Sequence, residues 1–167
     1  GLEMRELEEK INKHEFNLSG HIWGISRSHK IYLKHFAKDV GITLGQYPYL
    51  VLLAYADNLN QDDIAKLFQI DKCGVSRALK KLEDQELIER KPDPNNRRSN
   101  IIKLTKKGRE AKEYLKNKDD EWENMIYQNI DIDKEIFQKH VQNIFFESVE
   151  LVEQYKEESC KKIDDEN

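Results

Sequence analysis

Apolar residues recur at three- and four-residue steps at Leu18, Ile22, Ile25, Tyr32, Leu33 and Phe36. That spacing predicts one stripe along a long helix, and Gly41 stops it. Thr43-Leu44-Gly45-Gln46 reads as a capping box, the Thr hydroxyl and the Gln amide satisfying each other's backbone donors. An apolar helix over 44–56 follows, with Pro48 inside its early turns at the loss of one backbone hydrogen bond. Asn60 caps a short helix over 61–68, and Asp62 and Asp63 favour the positive end of its dipole. Ile70-Asp71 interrupts the pattern before another helix over 72–85. The period then changes. Leu87–Arg90 predicts a strand, 92–96 a polar loop and Asn100–Leu104 a returning strand. Thr105 caps a long helix with the stripe Ala111, Tyr114, Leu115, Trp122, Met125 and Ile126. Asp131 or Asp133 starts the last one, with Phe137, Val141, Ile144, Phe145, Val149 and Val152 in a 3-4 rhythm. From Glu157 the charged tail is expected to fray. The order is four helices, a hairpin and two helices, a mainly α fold with a small β-hairpin.

Residues 61–80 fit a helix-turn-helix position by position. Ala65 is small where the second helix crosses the first, and Ile64, Phe68, Ile70, Val75 and Ala78 fall where the two bury apolar side chains. Gln69 stands at the turn position that usually holds Gly, so it is expected to adopt positive φ. The second helix turns Val75, Ala78, Leu79 and Leu82 inward and leaves Lys72, Ser76, Arg77, Lys80 and Lys81 outside. Such a helix fits the DNA major groove, early residues near base edges and lysines near phosphates. An ordinary helical hairpin with a solvated face is the alternative. The hairpin after it puts Arg97 and Arg98 at a Pro- and Asn-rich tip, suited to a minor groove, with Lys103 on the returning strand.

Charge reinforces this only when divided by segment. The chain's 167 residues carry 28 Lys and Arg against 32 Asp and Glu, a net charge of -4 that by itself disfavours a polyanion. Residues 72–107, however, hold eleven Lys and Arg against five acids, a surplus of six, while the remainder has seventeen against twenty-seven. Concentrated base on an acidic chain is the pattern of a nucleic-acid contact. Only seven Gly and three Pro argue against a turn-rich β fold. The longest apolar stretch, Tyr47–Ala56, is about half a membrane span, and no signal segment opens the chain, so a cytoplasmic location is expected.

Over about Leu18–Tyr155, and most densely over Val75–Gly108, the sequence resembles the MarR family of winged-helix transcriptional regulators. The carriers are Arg77, Leu82-Glu83, Leu87-Ile88, Asn96-Arg97-Arg98, Thr105 and Gly108, with Gly41-Ile42-Thr43, Gln46-Tyr47-Pro48 and Leu50 upstream. Two positions depart from the pattern: Gly74 replaces a small polar DNA contact, and Asn96 replaces a wing Asp that pairs with an Arg, a role Asp93 is available to take. The resemblance implies a winged helix-turn-helix lobe over 41–105 between dimerisation helices at 4–40 and 106–156. Residues 157–167 form the tail, and Gly1-Leu2-Glu3 before Met4 reads as an expression scar. It further implies a homodimeric, sequence-specific repressor on palindromic double-stranded DNA, its wing beside the recognition helix, with Lys72, Ser76, Arg77, Lys80, Lys81, Arg97, Arg98 and Lys103 in contact. A small phenolic or anionic effector is implied too, with Trp23, Arg27, Tyr32 and Tyr47 as candidates, although aromatics at helical spacing also suit a core.

Other chemistries find little support. His14, His21, His29, His35 and His140 are scattered, with no His-x-x-x-His pair, so no metal is expected. His29 falls on the apolar stripe and reads as a satisfied core histidine. Cys73 beside Lys72 near a helix start has some thiolate-favouring surroundings, but it and Cys160 read as inert. No nucleophile-base pairing or phosphate-cradling loop points to an enzyme or a cofactor. The competing reading is a winged-helix module that meets protein partners without DNA readout.

Overall fold

In the computed structural model, which describes residues 2–11, 17–56 and 59–166, helix α1 (Leu2–Lys10) precedes the long helix α2 (Leu18–Ala37). The apolar periodicity does not indicate α1, which includes Leu2 and Glu3. His14 lies outside the described residues. A 3-10 turn over Lys38–Val40 ends at Gly41, whose φ of 70° is left-handed; such a backbone turn favours glycine. A second 3-10 turn, Leu44–Gln46, opens α3 (Tyr47–Tyr55). Gln46 Oε1 accepts from Thr43 N at 3.0 Å, the reciprocal half of the expected box. Pro48 stands at the first turn of α3. It costs no bond there, because an N–H at that position has no intrahelical acceptor.

Helices α4 (Gln61–Phe68) and α5 (Lys72–Asp84) form the helix-turn-helix. Asn60 Oδ1 accepts from Asp63 N at 2.9 Å and Asp63 Oδ2 from Asn60 N at 3.2 Å. Gln69 takes φ 53° as the motif demands, and Ile70 N donates to Ala65 O. Ile64 and Val75 are fully buried at the crossing, with Ala65, Phe68 and Ala78 packed around them. Ile70 corrects the sequence reading, since it remains 40% exposed.

Strands β1 (Ile88–Asp93) and β2 (Asn96–Leu104) pair antiparallel from Ile88↔Leu104 to Pro92↔Asn100, then slip so that Asp93 faces Asn96. The hairpin is therefore longer than expected. Pro92 and Asp93 are strand residues, the turn is confined to Pro94-Asn95, and Arg97 and Arg98 belong to the irregular start of β2 rather than to a loop tip. Pro92 is tolerated because this hairpin is all edge.

The chain forms two compact units, residues 1–122 and 123–167, and the boundary falls inside α6 (Lys106–Gln128). In the first unit Leu33, Leu50, Ile64, Leu79, Leu82, Leu87 and Leu115 are fully buried in one core. Just past α2, Asp39 Oδ2 accepts from the Tyr114 hydroxyl at 2.6 Å, and on α2 His29 Nε2 lies 2.7 Å from Asp119 Oδ1 with its ring edge-on to Trp122. His29 is thus half-buried and partnered. In the second unit the end of α6 and α7 (Lys134–Glu166) make a helical pair, joined by Gln138 Nε2 donating to Glu123 Oε1 and by Tyr127 against Phe137. Asp133 caps α7, accepting from Ile136 N at 3.1 Å. The backbone is helical to Glu166, through the charged tail; the side chain of Cys160 lies outside the described residues. Met125 and Ile126, expected inward, are exposed, as are Phe137, Val141, Ile144, Phe145 and Val152 of α7.

Candidate nucleic-acid interface

The outer face of α5 is set by what its inner face must do. Val75, Leu79 and Leu82 are fully buried at steps of three and four, which turns Lys72, Ser76, Arg77, Lys80 and Lys81 to solvent, all exposed. Asp71 Oδ1 caps the helix by accepting from Gly74 N at 2.6 Å. Cys73 is exposed in the first turn.

At its other end α5 closes in a Schellman motif: Leu87 N donates to Leu82 O and Glu86 N to Glu83 O, both at 2.9 Å. Glu86 occupies the left-handed position at φ 59°, where glycine is the usual residue. Buried Leu82 and Leu87 supply the apolar contact of that motif. The strand then leaves the helix at a fixed angle, tethered by Arg90. Its Nε donates to Glu83 Oε2 at 3.0 Å and its Nη2 to Oε1 at 3.4 Å. That bond holds the Glu83 carboxyl below the ordinary carboxylate range.

The Thr105…Gly108 motif is a joint. Thr105 N donates to Leu87 O, Thr105 Oγ1 donates to Glu86 O at 2.6 Å, and the same oxygen accepts from Gly108 N. A Cβ at Gly108 would collide with the Leu87 carbonyl oxygen, so only glycine lets α6 pass this close. Lys107 Nζ adds a bond to Gln85 O at 2.9 Å.

The eleven cations of the basic block therefore divide by role. Arg90 and Lys107 hold the joint. Lys72, Lys80, Lys91 and Lys106 reach Asp62, Asp84, Glu89 and Glu110 in solvent-exposed pairs at 3.1–3.8 Å, contacts that contribute little and exchange readily. Arg77, Lys81, Arg97, Arg98 and Lys103 are exposed and have no carboxylate partner among the described residues. In a chain with more acids than bases, five cations on one helix and one hairpin thus stand without a carboxylate partner among the described residues.

Two expectations need adjustment. Asp93 does not take over the wing ion pair: its Oδ1 accepts from Asn95 N, while Asn96 Oδ1 accepts from Arg98 N at 3.1 Å and leaves the guanidinium unengaged. Lys103 alternates with buried Ile102 and Leu104, so it lies on the outward hairpin face, beside Glu89, Lys91, Pro92, Pro94 and Ile101 around a shallow groove. It shares that face with Lys91 rather than with α5.

The four effector candidates are placed very differently. Trp23, 80% exposed, and Arg27 stand a turn apart on the outer side of α2. Tyr32 is half-buried against Phe36. Tyr47 belongs to the core, and burial pushes its hydroxyl well above the usual tyrosine range.

Sequence reasoning found Gln46 only as a capping residue and did not find Gln85 or the bond between them. Buried Gln46 donates through Nε2 to Gln85 Oε1 at 2.5 Å, and Gln85 Nε2 donates to Gly41 O at 3.3 Å. The chain linking the end of α2 to the end of α5 spans residues 39 and 44 positions apart, a separation no local pattern encodes.

Comparison with known proteins places this geometry among relatives. Residues 42–100 match the model of the MarR family. The chain is 30% identical over 110 residues to the HTH-type transcriptional regulator BilQ of Clostridioides difficile, covering 66% of this chain and 74% of that one. It is 36% identical over 81 residues to an uncharacterised HTH-type transcriptional regulator, YdgJ of Bacillus subtilis, about half of each. A MarR crystal structure superposes with a TM-score of 0.72 at 26% identity, covering 86% of this chain and 98% of that one. The DNA complex of Staphylococcus aureus MepR gives 0.69 at 28%, covering 81% and 98%.

Proposed function

The chain belongs to the MarR family of transcriptional regulators, and from that premise we propose that it is a homodimeric repressor that binds a palindromic DNA duplex through α5 and the β1–β2 wing. The observation that carries the reading is the set of unpaired cations: Arg77 and Lys81 on α5, Arg97 and Arg98 at the start of β2. Arg77 and Ser76 address base edges in the major groove, Lys72, Lys80 and Lys81 address phosphates, and the arginine pair enters the adjacent minor groove. The DNA complex of the MepR relative supports this. Lys103 contributes through the general field of the wing.

Dimerisation is supported by apolar surface that one chain leaves bare. Leu18, Ile22 and Ile25 of α2 are 48–58% exposed, and Phe137, Val141, Phe145, Phe146 and Leu151 of α7 are 41–64% exposed. Burying such side chains contributes roughly 1.5–3 kcal/mol each. Two copies address half-sites about one helical turn of DNA apart. For an effector, Tyr47 is too enclosed, and the reading narrows to Trp23 and Arg27, a ring to stack on and a cation for an anion. Titration calorimetry with a hydroxybenzoate tests it: binding that weakens in both Trp23→Ala and Arg27→Ala is expected, and binding unchanged in both overturns it.

The DNA reading is tested by selecting duplexes from a random pool and measuring affinity against salt. A steep decrease in affinity with salt is expected, with a slope of about -0.9 per phosphate neutralised. Arg97→Ala weakens sites with A·T flanks, whereas Lys81→Ala weakens all sequences alike. No duplex binding at low salt overturns the reading and leaves a protein-binding module.

A further inference from the structure

In the first turn of α5 Lys72 and Cys73 are exposed, but the cap and the two residues that follow Cys73 offer bases no free polar side chain. Gly74 has no side chain, Asp71 is committed to capping Gly74 N, and Val75 is fully buried. The residue just before the cap, Ile70, occupies the position from which an apolar side chain normally folds onto the fourth helical residue. Here Val75 is sealed beneath, yet Ile70 stays 40% exposed. Its Cγ2 methyl sits 2.8 Å from where a Cβ on residue 74 would stand. Ile70 therefore covers the patch of helix surface that a residue-74 side chain would otherwise present, and it does so with methyl groups.

We propose that Ile70 is a specificity-determining residue that reads a thymine methyl in the major groove, standing in for the side chain that Gly74 lacks. The proposal rests on the DNA-binding reading above, with the start of α5 at the base edges. Thymine is the one natural base that presents a methyl there, and an apolar side chain against it is a recognised mode of readout. Cytosine offers no methyl at that edge, so the preference is for T·A over C·G at one position in each half-site. Arg77, exposed one turn further along, fixes the register in which that position is met.

The experiment takes the duplex selected by the wild-type chain and replaces each thymine in turn by deoxyuridine, which removes only the methyl. Fluorescence anisotropy is expected to find one position per half-site at which the wild type loses roughly four-fold in affinity per methyl. In Ile70→Ala the thymine and uracil duplexes should bind equally. Gly74→Ser, which displaces the Cγ2 methyl while leaving the core residues in place, should also lose the discrimination, and it serves where Ile70→Ala folds poorly. A duplex bound tightly but indifferent to the methyl at every position overturns this inference alone. So does discrimination that persists in folded Ile70→Ala or Gly74→Ser. A pool from which no duplex enriches overturns the DNA-binding reading, and this inference with it.

Discussion

Glu86 carries a residue-scale cost that the rest of the joint tolerates. Its φ of 59° places a Cβ-bearing residue in the left-handed region, at about 1–2 kcal/mol. Glycine would remove that strain but lose more freedom on folding, about 0.4–1 kcal/mol. Glu86→Gly is therefore expected to stabilise the chain by roughly 0.5–1 kcal/mol, read as a rise of a few degrees in Tm with unchanged helix content by circular dichroism. Three residues earlier, Glu83 gives a pH-dependent contribution of known sign. The Arg90 hydrogen bond lowers its carboxyl from an ordinary value of 4.5. A lowered folded value means the stabilisation is complete above about pH 4.5 and is lost as pH falls through the folded value. The stability gap between wild type and Glu83→Gln should be constant near neutrality and shrink in acid. It should stay under about 1 kcal/mol, because the pair is partly exposed. Urea melts at stepped pH check it. Glu83 was legible as a motif residue, whereas its partner was not: the helix-to-strand corner that brings Arg90 back is fixed by tertiary packing.

Elements show where local rules suffice and where they stop. The start of α4 was legible because a cap spans three residues, and Asn60 bonds the N–H of Asp63, whereas Asp71, read only as an interruption, caps α5 in the same way by bonding Gly74 N. The positive φ of Gln69 was legible because the turn geometry demands it whatever the residue. The wing is longer than its composition suggests. Pro92, Asp93 and Asn96 are loop-forming residues, but the cross-strand bonds of a two-stranded ribbon outweigh that preference, and the slip after Pro92 absorbs the irregularity. The link from α2 to α5 through Gly41, Gln85 and Gln46 lay beyond any window. It orders the end of the recognition helix, and Gln85→Leu leaves the buried Gln46 amide without its acceptor. That costs about 1–3 kcal/mol. The checking measurement is a chemical melt alongside DNA affinity. Affinity is expected to fall at a temperature where the variant is still fully folded, because α5 loses an anchor at one end only.

At the scale of the whole molecule, the apolar stripes on α2, α6 and α7 were legible, but only the family resemblance gave them a dimer as destination, because a helix stripe reads the same whether it faces its own core or a second copy. Exposure separates the residues that face their own core from the rest. Leu33, Ala37, Ala111 and Leu115 are buried within the chain, and the stripe residues from Met125 to Val152 are not. Phe145, 53% exposed, is the informative position. Its ring lies against that of its neighbour Phe146, and it is not among the residues of the buried core. If Phe145 faces solvent in the native protein, Phe145→Asp changes nothing beyond solubility. If it faces a second copy, two like charges are brought into an apolar interface, where unpaired burial is prohibitive. Phe145→Asp is expected to sediment as a monomer with native helix content. It should bind a single half-site weakly and lose at least about 100-fold on the full palindrome, because the second half-site no longer binds at the high local concentration that linkage provides. A dimer by analytical ultracentrifugation, or undiminished binding to the palindrome, would refute the assignment of α7 to the interface. Loss of helix content would instead mean that Phe145 supports its own chain. The sequence's 3-4 rhythm is compatible with each of these outcomes, and only the second copy distinguishes them.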